Sequence, residues 1–156
     1  MQKQWAILNG LKIRYNEYGQ GNDRNVLFIH GLGSSADRWL DIPNVLSENL
    51  HTIAIDLPGF GESDKPETMN YTIENFRDTI IDFINKISLN NDKTSIVGHS
   101  LGGYIAAEVA IKKKNLVEKL VLIDSSGMLE KPTPLLEEYL KVAMTPTKDT
   151  VRKVFE

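Results

Sequence analysis

Cysteine is absent from the 156 residues, which excludes disulfides, thiolate metal cages and a thiol nucleophile. Histidine is scarce: the three are His30, His51 and His99, and none lies further along. No apolar run approaches the ~18 residues that a membrane helix needs. The opening Met1-Gln2-Lys3-Gln4-Trp5 carries no apolar signal segment, so the expectation is a cytoplasmic protein that engages no membrane. Positive charge is not in excess either. Eighteen Lys and Arg against 21 Asp and Glu leave a net charge of −3, with no basic stripe for nucleic acid. Lys112-Lys113-Lys114 reads as a helix C-terminus, where cations favour the dipole.

What is present is the composition of a globular domain, 41% hydrophobic and 25% charged. Trp5 to Leu8, Asn9-Gly10 and Leu11 to Tyr18 read as a β-hairpin around a type I′ turn. Val26 to Ile29 is apolar without alternation, as in a strand buried on both faces. Thr52 to Ile55 reads as another short buried strand, Ile96-Val97 as part of a third and Leu120 to Ile123 as the last. Between them fall helical stretches. Ala36 to Leu50 is expected in two pieces with Pro43 interrupting it. Thr72 caps a helix whose buried face is Ile73, Phe76, Ile80, Ile84 and Ile87. Leu101 to Lys113 is a third. Strands alternating with helices after a hairpin predict an α/β fold: a mostly parallel sheet with an antiparallel N-terminal hairpin and helices on both faces. Beyond about residue 130 the pattern changes. Prolines punctuate two polar helical segments, Leu135 to Ala143 and Lys148 to Glu156, so residues 1–130 read as the core and 131–156 as the start of a helical lid.

Chemistry concentrates at Gly98-His99-Ser100-Leu101-Gly102-Gly103, directly after the run Thr94-Ser95-Ile96-Val97. A buried strand running into a glycine-flanked serine and then a helix makes a nucleophile elbow, with the hydroxyl raised at the carboxyl end of the sheet. Small neighbours let adjacent backbone pass the tight turn. The pentapeptide alone is common by chance; its strand-and-helix context is what distinguishes it.

Three motifs stand in order: His30-Gly31 after one strand, Asp56-Leu57-Pro58-Gly59-Phe60-Gly61-Glu62-Ser63 after the next, and Gly98 to Gly103 after a third. Together they resemble the α/β-hydrolase family, in its lid-bearing esterase, lactonase and carbon–carbon-bond hydrolase branch, from the hairpin to about Gly127. The resemblance implies Ser100 as nucleophile and the backbone N–H groups of Leu32 and Leu101 as the oxyanion hole. It puts His30, Gly31 and His99 at the substrate-binding edge. The His30 ring is expected to hydrogen-bond neighbouring loops, and Asp56 to bind backbone. His51 is expected at the surface, far from the elbow, and Trp39 in the core. Asp124 ends the strand after the elbow and is a candidate triad acid.

The family sheet has eight strands, and this chain supplies six. The usual acid and histidine follow the seventh and eighth, so the chain reads as the N-terminal part of a hydrolase of roughly 250 residues or more. Two consequences follow. Losing the histidine costs a serine protease about a million-fold, ~8 kcal/mol of barrier, so these 156 residues alone are expected to be nearly inert. Leu120 to Ile123 becomes an apolar edge open to self-association or to the remaining segment. The leading expectation is a serine hydrolase that takes a small ester, lactone or related carbonyl compound through an acyl-enzyme, with no metal and no organic cofactor. Alternatives are a catalytically inactive binding protein on the same fold, or carbon–carbon-bond cleavage or acyl transfer by the same serine.

Overall fold

The computed structural model describes residues 2–87 and 93–128, together with 131, 133, 134 and 136–138. Strands β1 (Gln2–Leu8) and β2 (Leu11–Tyr18) form the antiparallel hairpin. Its turn residues Asn9 and Gly10 both have positive φ, 49° and 83°, the type I′ geometry that matches strand twist. β2 pairs antiparallel with β4 (His51–Ile55), and β4 lies parallel to β3 (Asn25–Ile29). β3 is parallel to β5 (Thr94–His99), and β5 to β6 (Val117–Ile123). The order across the sheet is β1-β2-β4-β3-β5-β6. It is the predicted mostly parallel sheet with an antiparallel start.

The central strands bury both faces, which is why their sequences do not alternate. Leu27, Ile29, Ile53, Ile55 and Ile96 face one core, with α2 (Ile73–Ile87) and α3 (Leu101–Lys112) packed on it. Val26, Phe28 and Ala54 face the other side, covered by Ala36 and Trp39 of a short 3-10 turn. Helix α2 contains five isoleucines, each costing a helix only about 0.4 kcal/mol of propensity. Burial of Phe76, Ile80, Ile81, Phe83 and Ile84 returns about 1.5–3 kcal/mol apiece, so packing decides.

Pro43 does not break the segment after β3. The break falls at Leu40, between the 3-10 turn Ala36–Trp39 and α1 (Asp41–Leu46). Pro43 sits in the first turn of α1, where no backbone N–H is required of it. Among the described residues β6 forms the outer edge of the sheet, and Leu120, Val121 and Ile123 are 36%, 47% and 38% exposed.

The chain divides after Ser126 into two compact units, residues 1–126 and 127–156. In the second, Thr133 opens a helical turn: its hydroxyl accepts from Leu136 N–H at 3.3 Å and its carbonyl from Glu137 N–H at 2.9 Å. Most of the predicted segment Leu135–Ala143, and all of Lys148–Glu156, lie outside the described residues. Among the described residues no helix is long and apolar enough to cross a membrane.

Candidate active site

The four parallel strands end in step. Ile29 stands opposite both Ile55 and Gly98, and His99 opposite Ile123. The loops that begin at His30, Asp56, Ser100 and Asp124 therefore emerge side by side at one edge. From β3 the chain steps first to β4 on one side and later to β5 on the other. Such a switch point is where open α/β sheets bind ligands.

Ser100 joins β5 to α3 with φ 51° and ψ −118°. A non-glycine residue held there costs about 1–3 kcal/mol. Backbone hydrogen bonds offset that strain. Ser100 N–H donates to the Ile123 carbonyl at 3.0 Å, and the Ser100 carbonyl accepts from Gly103, Tyr104 and Ser126 at 3.0–3.2 Å. The flanking glycines are there for want of room. A Cβ on Gly98 would lie 2.3 Å from the Gly102 carbonyl oxygen, and one on Gly102 would lie 2.3 Å from that of Ile29. The turn can be this tight only because nothing protrudes from it.

The loop after β3 lies against the elbow: a Cβ on Gly31 would come within 3.1 Å of the Ser100 Cβ and 3.0 Å of His99 Nδ1. Leu101 is the first residue of α3, where backbone donors have no partner within the helix. Among the described residues neither the Leu32 nor the Leu101 N–H has an acceptor. Both residues line a cleft of about 430 Å³, with Gly59, Phe60, Tyr71, Ile73 and Phe76 as its other walls. The Tyr71 ring lies against Gly59, where an added Cβ would meet it at 2.6 Å, and its hydroxyl donates to the Pro66 carbonyl at 2.9 Å.

His30 is fully buried and has no face open to a ligand. Nδ1 donates to the Gly31 carbonyl at 2.7 Å, and Nε2 accepts from Leu57 N–H at 3.1 Å. Those roles require the neutral ring, and burial pushes the His30 pKa below its ordinary value. The ring thereby ties the loop after β3 to the loop after β4. His99 is half-buried at the end of β5. His51 is not at the surface. It is 4% exposed, with Nε2 2.8 Å from Glu17 and Nδ1 2.8 Å from Asn25. Those partners stand on β2 and β3, the strands that flank β4. Asp124 is exposed, and its carboxylate has no hydrogen-bond partner among the described residues.

Asp56 binds backbone and more. Its carboxylate accepts from Ala36 N–H at 2.6 Å, from Glu62 N–H at 2.7 Å and from Arg14 Nη1 at 3.3 Å. The Arg14 side chain is only 2% exposed and also donates to Asn16 at 2.8 Å and Asp37 at 2.6 Å. The bond from Arg14 holds the Asp37 carboxyl below its usual range. Arg14 is the structural centre that the sequence reading missed. Its one visible signal is a charged residue between the apolar Ile13 and Tyr15 of a strand, a pattern that solvated edge strands share. Ser126 was missed as well: its hydroxyl oxygen lies 3.3 Å from that of Ser100.

The sequence pattern of the alpha/beta hydrolase fold matches residues 24–150. The uncharacterized hydrolase YugF of Bacillus subtilis (strain 168) is 32% identical over 129 residues, 83% of this chain and 46% of that protein. The monoacylglycerol lipase abhd6-B of Xenopus laevis is 28% identical over 148 residues, 88% of this chain and 43% of the lipase. Among solved structures, the meta-cleavage product hydrolase CumD of Pseudomonas fluorescens IP01 superposes with a TM-score of 0.83 at 29% identity, over 97% of this chain and 55% of that one. The chain thus spans about half the length of the relatives it matches.

Proposed function

The chain belongs to the alpha/beta hydrolase fold family, and on that footing we propose that it is the nucleophile-bearing part of a serine hydrolase. The proposed substrate is a carboxylic ester, a lactone or a related carbonyl compound. The observation that carries this reading is the Ser100 backbone, at φ 51° and ψ −118° between β5 and α3, followed by the Leu101 amide, which has no acceptor among the described residues. Strain of that kind persists only where surrounding structure enforces it.

Ser100 Oγ attacks the carbonyl carbon, and its proton passes to a base and then to the departing alcohol. Water hydrolyses the resulting acyl-enzyme. The Leu32 and Leu101 amides receive the negative oxygen of the tetrahedral intermediate, each worth on the order of 3 kcal/mol. The base is proposed to lie beyond residue 156: among the described residues His30 and His51 are buried and engaged, and His99 is a chain neighbour of the nucleophile. The 156 residues alone are accordingly expected to turn over esters very slowly.

The apolar cleft favours an uncharged acyl group, and the lipase relative is consistent with that. The CumD relative supports a second reading, meta-cleavage product hydrolysis by the same serine. Assay of the intact protein on short-chain p-nitrophenyl esters and on a meta-cleavage product separates them. Ser100→Ala is expected to lower kcat on the preferred substrate by about 10⁴-fold or more. Activity retained in Ser100→Ala would remove the nucleophile; no turnover of either substrate would favour a binding protein on a hydrolase scaffold.

A further inference from the structure

We propose that Ser126 is a positioning residue for the Ser100 hydroxyl, an inference that rests on the nucleophile reading above. The described chain has three non-glycine residues at positive φ. Asn9 belongs to the hairpin turn. The other two, Ser100 at 51° and Asp124 at 44°, end the adjacent strands β5 and β6. The bend at Asp124 turns the chain back across the elbow, so that one short segment touches Ser100 at three points. The Ile123 carbonyl accepts from Ser100 N–H at 3.0 Å, and Ser126 N–H donates to the Ser100 carbonyl at 3.1 Å. The third contact pairs the two hydroxyl oxygens at 3.3 Å.

The second contact fixes the Ser126 backbone to the very residue whose side chain it meets, and the first anchors the segment three residues earlier, at Ile123. Ser125 adds to this, since its hydroxyl donates to the Ser126 carbonyl at 3.0 Å and its side chain fills the space beside Gly103. A free serine hydroxyl samples three staggered wells. With a partner hydroxyl anchored to its own carbonyl, Ser100 is held in one of them. Ser126 neither takes nor releases a proton in the reaction. Either hydroxyl of the pair can donate to the other; once the Ser100 proton is directed to the base, the Ser126 O–H is the one left to donate to Oγ. Fixing a reacting atom in advance raises the rate of attack without raising affinity.

The test is the second-order rate of fluorophosphonate labelling of the intact protein, alongside ester kinetics. Ser126→Ala is expected to lower labelling and kcat about fivefold, the worth of one neutral hydrogen bond (~1 kcal/mol), with KM and the urea midpoint unchanged. Ser126→Thr, which keeps the hydroxyl, is expected to restore at least half of the rate. Labelling of Ser126→Ala at the wild-type rate overturns the proposal while leaving Ser100 as nucleophile. Equal losses in the Ala and Thr variants also overturn it, because packing and not the hydroxyl would then be responsible. Absence of any Ser100 labelling in the wild type defeats the nucleophile reading, and this inference with it.

Discussion

Gly102 shows how little freedom the elbow allows at the level of a single residue. A methyl there would lie 2.3 Å from the Ile29 carbonyl oxygen and 2.5 Å from that of His30. Both obstacles are backbone, and neither can swing aside. Gly102→Ala is expected to destabilise the protein by about 3 kcal/mol or more, read from the urea midpoint. His30 supplies the second residue-scale prediction. Its pKa is lowered in the folded protein, so the unfolded chain binds the extra proton more readily. The stability that this group contributes is therefore complete above its ordinary value of about 6.5 and is lost as pH falls below it. Urea unfolding at pH 7.5 and 5.5 is expected to show a smaller acid loss in His30→Gln than in the wild type. An equal or larger loss in the variant would mean that His30 is not the group responsible.

The loops around the site are held by a buried charge pair at the level of elements. Asp56 joins the 3-10 turn after β3, the loop after β4 and, through Arg14, strand β2. Removing one partner of a buried ion pair costs about 3–5 kcal/mol, because the other charge is left without compensation. Asp56→Ala is expected to fall in that range by denaturant melts, discounted somewhat because Arg14 keeps Asp37. Much of this architecture was legible in the sequence. The hairpin, the four apolar strands, α2 and the elbow announce themselves through turn chemistry and periodicity, which act locally. Arg14 and the covered His51 do not, because both are explained by strands distant in the chain: Asp56 faces Arg14 across 42 residues, and Glu17 faces His51 across 34. The Ser100–Ser126 contact is hidden for the same reason, since it follows from the parallel pairing of β5 with β6 and from a bend at an aspartate. The displaced helix break at Pro43 is a different matter, in that proline is tolerated within a first helical turn.

At the level of the whole molecule, β6 has no strand paired on its outer side among the described residues, where Leu120, Val121 and Ile123 are exposed. An edge of that kind recruits further strands. The 156-residue chain is expected to show concentration-dependent mass in sedimentation, reduced by Val121→Lys, whereas a clean monomer at every concentration would speak against edge pairing. The central claim is that Ser100, held on a strained strand-to-helix turn, is the nucleophile. Peptide mapping by mass spectrometry after fluorophosphonate treatment of the intact protein tests it most directly. One adduct on the peptide that bears Ser100, absent in Ser100→Ala, is the predicted result. An unmodified protein, or an adduct that persists in Ser100→Ala, would contradict it.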